Sequence, residues 1–132
     1  MIDLSTEKTI RESLILTTSY VAGTILGAET SDPTDVTAYN QLILKVRLTI
    51  GSLTTAEVKV EFSADNVTYD REITETVSGG TITCAAAERT FGATGNFEIP
   101  IPISARYIKV SAKGTGTVTD SLMAISAVLA VN

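Results

Sequence analysis

From Leu42 onward the chain alternates with a period of two: Leu42, Leu44, Val46, Leu48 and Ile50 are apolar, with Lys45, Arg47 and Thr49 between them. Successive side chains of an extended backbone point to opposite faces, so this stretch predicts a strand with one buried and one solvated face. After the turn-like GSLTTA, Val58, Val60 and Phe62 alternate with Glu57, Lys59 and Glu61. Pairing the two runs as a hairpin sets Leu48 beside Val58, Val46 beside Val60 and Leu44 beside Phe62, with Lys45 opposite Glu61 on the polar face.

The same pattern divides the rest of the chain. Residues 1–11 are polar and aperiodic and read as an N-terminal arm, and residues 12–21 read as a first strand. Gly23, Gly27 and SDPTD (31–35) punctuate a long connection. SADNVTYD (63–70) is a turn by composition, REITETV a strand, Gly79-Gly80 a hairpin breaker, TITCAAA a strand and ERTFGATGN a loop. Proline cannot donate to a ladder, so Pro100 and Pro102 mark EIPIPIS as an edge or bulged segment, with a corner at Ser104 and an interior strand from Ala105. KGTGTVTD turns the chain. SLMAISAVLAV then reads as a long strand apolar on both faces, central in a sheet or under a neighbouring subunit, with a helix as the competing reading. About eight strands at short spacing predict an all-β, antiparallel β-sandwich of jelly-roll-like type, one domain over 12–132.

Composition changes this picture little but narrows the chemistry. Hydrophobic residues are 44% and aromatics 5%, with no Trp, so the core is aliphatic. Fifteen acidic against ten basic residues give a net charge of −5, which repels a phosphate backbone, and no basic patch is visible; no nucleic-acid partner is expected. No run approaches the ~18 apolar residues of a membrane span, and the N-terminal segment lacks the pattern of a signal peptide, so a soluble protein made in the cytoplasm is expected. The single Cys84 can form no internal disulfide and reads as a buried structural thiol in TITCAAA.

The absence of His excludes His-dependent triads and His-zinc sites. Gly114 and Gly116 in KGTGT lack the GK[ST] and following helix of a phosphate loop. Oxygen-rich loops could hold calcium at Asp32 with Asp35, or at Asp65 with Asn66 and Asp70, but neither has EF-hand spacing, and Asp and Asn are ordinary turn formers. No enzyme activity, cofactor or metal is therefore expected. Asn66-Val67-Thr68 forms a glycosylation sequon, without consequence in a chain not secreted. Tyr20, Tyr39, Tyr69 and Phe91 lie in or near loops, where exposed rings would anchor a partner.

Two resemblances add to this reading. Ser63, Asp65 and Tyr69, then Ala105 to Lys109, then Leu122 to Val128 are similar in order to the C-terminal half of discoidin-type and related jelly-roll sandwiches; this implies the sandwich and, as an alternative function, a non-catalytic carbohydrate-binding module. The whole chain, short, acidic, rich in Thr, Ala, Val and Gly and without His or Trp, resembles small virion proteins of tailed bacteriophages, above all capsid decoration (cement) proteins. That resemblance implies a homotrimer on the capsid surface that binds the major capsid protein lattice and stabilises the head, with a tail, baseplate or fibre component as the alternative.

Overall fold

A computed structural model of the chain describes residues 4–23 and 34–131. Among these, every regular element is a strand: β1 (Leu4–Leu14), β2 (Val21–Gly23), β3 (Thr34–Asp35), β4 (Gln41–Thr49), β5 (Leu53–Ser63), β6 (Asp70–Arg71), β7 (Ile73–Ser78), β8 (Thr81–Ala86), β9 (Arg89–Phe91), β10 (Gly95–Pro100), β11 (Tyr107–Gly116) and β12 (Leu122–Val131). One sheet runs β1-β12-β4-β10, and the other is built on β2-β11-β5-β6, with β3 also on β11 and β9 also on β5. All pairings are antiparallel.

β2 and β3 lie along the same edge of β11, and β6 and β9 along the same edge of β5. Counting each collinear pair as one position leaves eight, in the orders 1-8-3-6 and 2-7-4-5, which is the order of a jelly roll. The strand count and topology read from the sequence therefore hold. The inner faces close an aliphatic core of Leu42, Leu44, Val46 and Leu48 from β4, Val58 and Val60 from β5, Ile108 and Val110 from β11, and Met123, Ile125 and Leu129 from β12.

The sequence places β4 and β5 side by side, and the structure places them in different sheets. β4 pairs with β12 and β10, so Lys45 lies opposite Glu98, 4.0 Å away as an ion pair, and Glu61 lies opposite Lys109. Two strands that each bury one face can satisfy it as neighbours or across the core from each other. Alternation alone does not distinguish the two.

Other boundaries shift as well. Residues 4–14, read as part arm and part first strand, form one edge strand on β12, and the run 15–20 is irregular. The polar pattern that suggested an arm reflects an edge whose register is broken twice, between Thr9 and Arg11 and between Arg11 and Leu14. ERTFGATGN, read as a loop, contributes β9 and the start of β10, and KGTGT continues β11 to Gly116 rather than turning at Lys113. SLMAISAVLAV is a strand and is central, between β1 and β4. The prolines act as expected: β10 is the outer strand of its sheet and ends at Pro100.

Candidate interaction surface

Because Val58, Val60 and Phe62 face the core, Glu57, Lys59 and Glu61 of β5 share the outer face with Tyr107, Lys109, Ser111 and Lys113 of β11. The register sets Lys109 opposite Glu61 and Lys113 opposite Glu57, so unlike charges alternate across the strands. Tyr20, on the irregular segment before β2, lies over this face: Lys59 Nζ is 4.6 Å and Lys113 Nζ 4.9 Å from its ring centre, and its hydroxyl donates to Glu88. Burial first, then the bond to Glu88, pushes the Tyr20 phenol above its ordinary range, while the Tyr20 hydroxyl holds Glu88 below its own. Tyr69 is held in the same manner, with Lys109 Nζ 4.2 Å from its ring centre and its hydroxyl donating to Asn66 Oδ1 at 2.9 Å. The face is thus a set of aromatic–cation pairs fixed on a rigid sheet.

The other candidate rings lie elsewhere. Tyr39 and Phe91 are partly buried against the core, and Phe91 meets Phe97 with ring centres 4.8 Å apart. Of the calcium candidates, Asp32 lies outside the described residues. Asp35 accepts from Thr37 N and Oγ1 (2.9 and 2.6 Å) and from Arg106 (3.2 Å), and Asp65 accepts from Ser63 Oγ, Val67 N and Thr68 N, each at 2.9 Å. Asp70 sits in β6, opposite Phe62. Among the described residues no three His, Cys, Asp or Glu side chains converge on a metal position. Both loop carboxylates serve as Asx-type turn acceptors.

Those turns carry a pH dependence. Asp35 is held below the usual carboxylate range chiefly by Thr37, Asp65 chiefly by the Thr68 and Val67 N–H groups, and Asp120 by the N–H and hydroxyl of Ser52. A folded-state pKa below the unfolded value, about 3.9 for Asp, contributes stability that is full above that value and is lost as pH falls through the folded one. The melting midpoint is expected to be level from about pH 7 to 5 and to drop below about pH 4. Asp65→Asn should shrink that drop, and a melting series in which the variant falls as steeply as the parent would disprove the assignment.

The feature the sequence reading missed is β7 and β8. Between β6 and β9 the chain leaves the sheet and forms a two-stranded hairpin whose twelve strand residues are all exposed and pair only with each other. One face carries Ile73, Glu75, Val77, Ile82, Cys84 and Ala86, and the other is almost wholly Thr and Ser. Cys84, expected to be buried, is exposed because nothing covers this face. The turn is made by Gly79 and Gly80, at φ +58° and +81°.

The base of this arm is clamped: both guanidinium nitrogens of Arg89 donate to the Glu72 carboxylate, Arg71 Nη2 donates to Ala87 O at 2.9 Å, and Ala87 N to Glu72 O at 2.9 Å. The sequence signal was present in the mirrored pairs Arg71-Glu72 and Glu88-Arg89, which bracket fifteen residues holding one charge. Beside the clamp lies an open cleft of about 560 Å³ lined by Phe62, Ser63, Asp70, Arg71 and Pro102 among others. A second, mostly apolar groove of about 470 Å³ lies far along the chain, formed by Leu14, Ile15, Val21 and Leu122 with Arg11.

A prophage-derived protein shares this fold. The crystal structure of SPBc2 prophage-derived protein YomS matches 98% of this chain and 96% of its own, with a TM-score of 0.54 and 18% sequence identity. The likeness to YomS therefore spans the whole chain rather than one hairpin, and at this identity it is a likeness of fold. No family model matches the chain, and no curated protein matches it in sequence.

Proposed function

We propose that the chain is a structural virion protein of a tailed bacteriophage, of the capsid decoration type, which binds the major capsid protein lattice as a homotrimer and stabilises the head by binding rather than by catalysis. The observation that carries this reading is the end-to-end fold likeness to the prophage-derived YomS. The build of the surface supports it: a rigid aromatic and charged sheet face and a clamped arm with an uncovered apolar side suit docking, and neither gathers groups for a reaction. A ligand that binds only the assembled shell stabilises it by mass action. In this reading the protein is made in the host cytoplasm and resides on the capsid surface.

The test is to add purified protein to isolated heads that lack it, recover the particles by sedimentation, and image them. Saturable binding with density on the capsid lattice and a raised temperature of head disruption is expected. Density on the tail would move the assignment to a tail, baseplate or fibre component, and absence of binding to either would overturn it.

A further inference from the structure

We infer that the β7–β8 arm of one copy seats in the Leu14/Ile15/Val21/Leu122 groove of a second copy, joining the chains head to tail. The first reason is that the arm needs a cover. Two strands alone are marginal in water, and Ile73, Val77 and Ile82 stand 53, 68 and 60% exposed on one face. The second is that the remaining exposed large apolar side chains of the described residues gather mainly in one other place: Leu14, Ile15 and Leu122, 38, 50 and 41% exposed, line a single groove. The third is charge. The charged residue on the arm is Glu75, at the middle of its apolar face, and the charged residue of the groove is Arg11, which is 5% exposed and donates to the carbonyls of Met123, Leu14 and Ile15. A carboxylate arriving there meets a guanidinium. In a chain of net charge −5, a nearly uncharged arm is also the region that neighbouring copies can bring together with least repulsion.

Area separates this arrangement from its rival. The three apolar side chains of the arm expose roughly 200 Å², so two arms meeting across a twofold would bury about 400 Å² in total, well short of the roughly 1,000 Å² of a stable interface. Such a contact would also set two Glu75 carboxylates against each other. In the head-to-tail arrangement each copy gives an arm and receives one, so both patches are covered, and the contact closes into a ring when the rotation allows. The arm, at about 3.3 Å per residue, is about 20 Å long and can reach across such a joint. Three copies in the ring follows from the proposed trimer, whereas the arm-in-groove contact does not depend on it or on capsid binding.

Sedimentation analysis of the free protein tests the contact. Wild type is expected to associate, and Val77→Asp with Ile82→Asp, or Ile15→Asp alone, should each weaken association by about tenfold or more while leaving the monomer melt unchanged. Mixing the two variants should restore a one-to-one complex, because one intact arm then meets one intact groove. A wild type that stays monomeric at all concentrations, or a mixture that does not pair, overturns the inference. A covalent version keeps the test open if Ile15→Asp impairs folding. On oxidation, Cys84 should link to the thiol introduced by Ile15→Cys in a neighbouring copy, whereas Cys84-to-Cys84 dimers of the parent would establish the arm–arm contact instead.

Discussion

Leu44→Ala is expected to cost about 3 kcal/mol and to lower the melting midpoint by roughly 10 °C. Leu44 is fully buried at the middle of β4, between Ala127 of β12 and Ile99 of β10 in register, and it points into the space between the two sheets. Removing its three terminal carbons loses their transfer free energy and leaves a void that β4, hydrogen-bonded on both sides, cannot close by moving inward. The paired control is Val77→Ala on the arm, equally apolar but 68% exposed, which should change the monomer's stability by less than about 0.5 kcal/mol. Chemical denaturation of both variants decides the matter. Equal losses would mean that the arm is part of the cooperative core.

Gly51→Ala should cost about 2–4 kcal/mol, more than a surface loop position ordinarily would. Gly51 carries φ +56° where the chain passes from one sheet to the other, and a Cβ there would lie 2.4 Å from the backbone oxygen of Asp120 and 2.6 Å from its Oδ1. Some of the cost is the left-handed backbone and the rest the displacement of Asp120, whose carboxylate accepts from Ser52 N at 2.8 Å and Ser52 Oγ at 2.9 Å. The Gly51 corner and the turn before β12 are thereby held as one unit. A melting midpoint within a degree of the parent would show that the two loops separate without cost.

Several elements of this fold were legible because their cause is local. The alternation of β4 and β5, the glycine pair at 79–80 and the prolines at 100 and 102 each act through their own backbone, and each does in the structure what its chemistry requires. Partnership was not legible. Nothing in Leu44, Val46 or Val58 says whether its buried face meets a neighbour in the same sheet or a strand across the core. The arm was misjudged for a related reason: TITCAAA has the composition of a buried strand, and only the clamp of Arg71, Glu72 and Arg89 at its base sends it away from the body. Among the candidate rings, Tyr20 and Tyr69 lie on the outer sheet face and Tyr39 and Phe91 against the core, a difference decided by residues distant in sequence, such as Lys59, Lys113 and Phe97.

The position of β12 sets the timetable of folding. It lies between β1 and β4, joining residues 4–14 to 41–49 through contacts more than a hundred residues apart at the outer pairing, Leu4 with Val131. The sheet β1-β12-β4-β10 is in two unconnected pieces until residues 122–131 have left the ribosome, and β1 has no partner until then. The half-sheet of β5 and β11 can form earlier, but its apolar face stays wet while it waits. Synthesis in the cell should therefore end in one late closure of the whole sandwich rather than in stepwise growth, and a chain stopped before Leu122 should be held by chaperones or degraded instead of accumulating as a smaller folded protein.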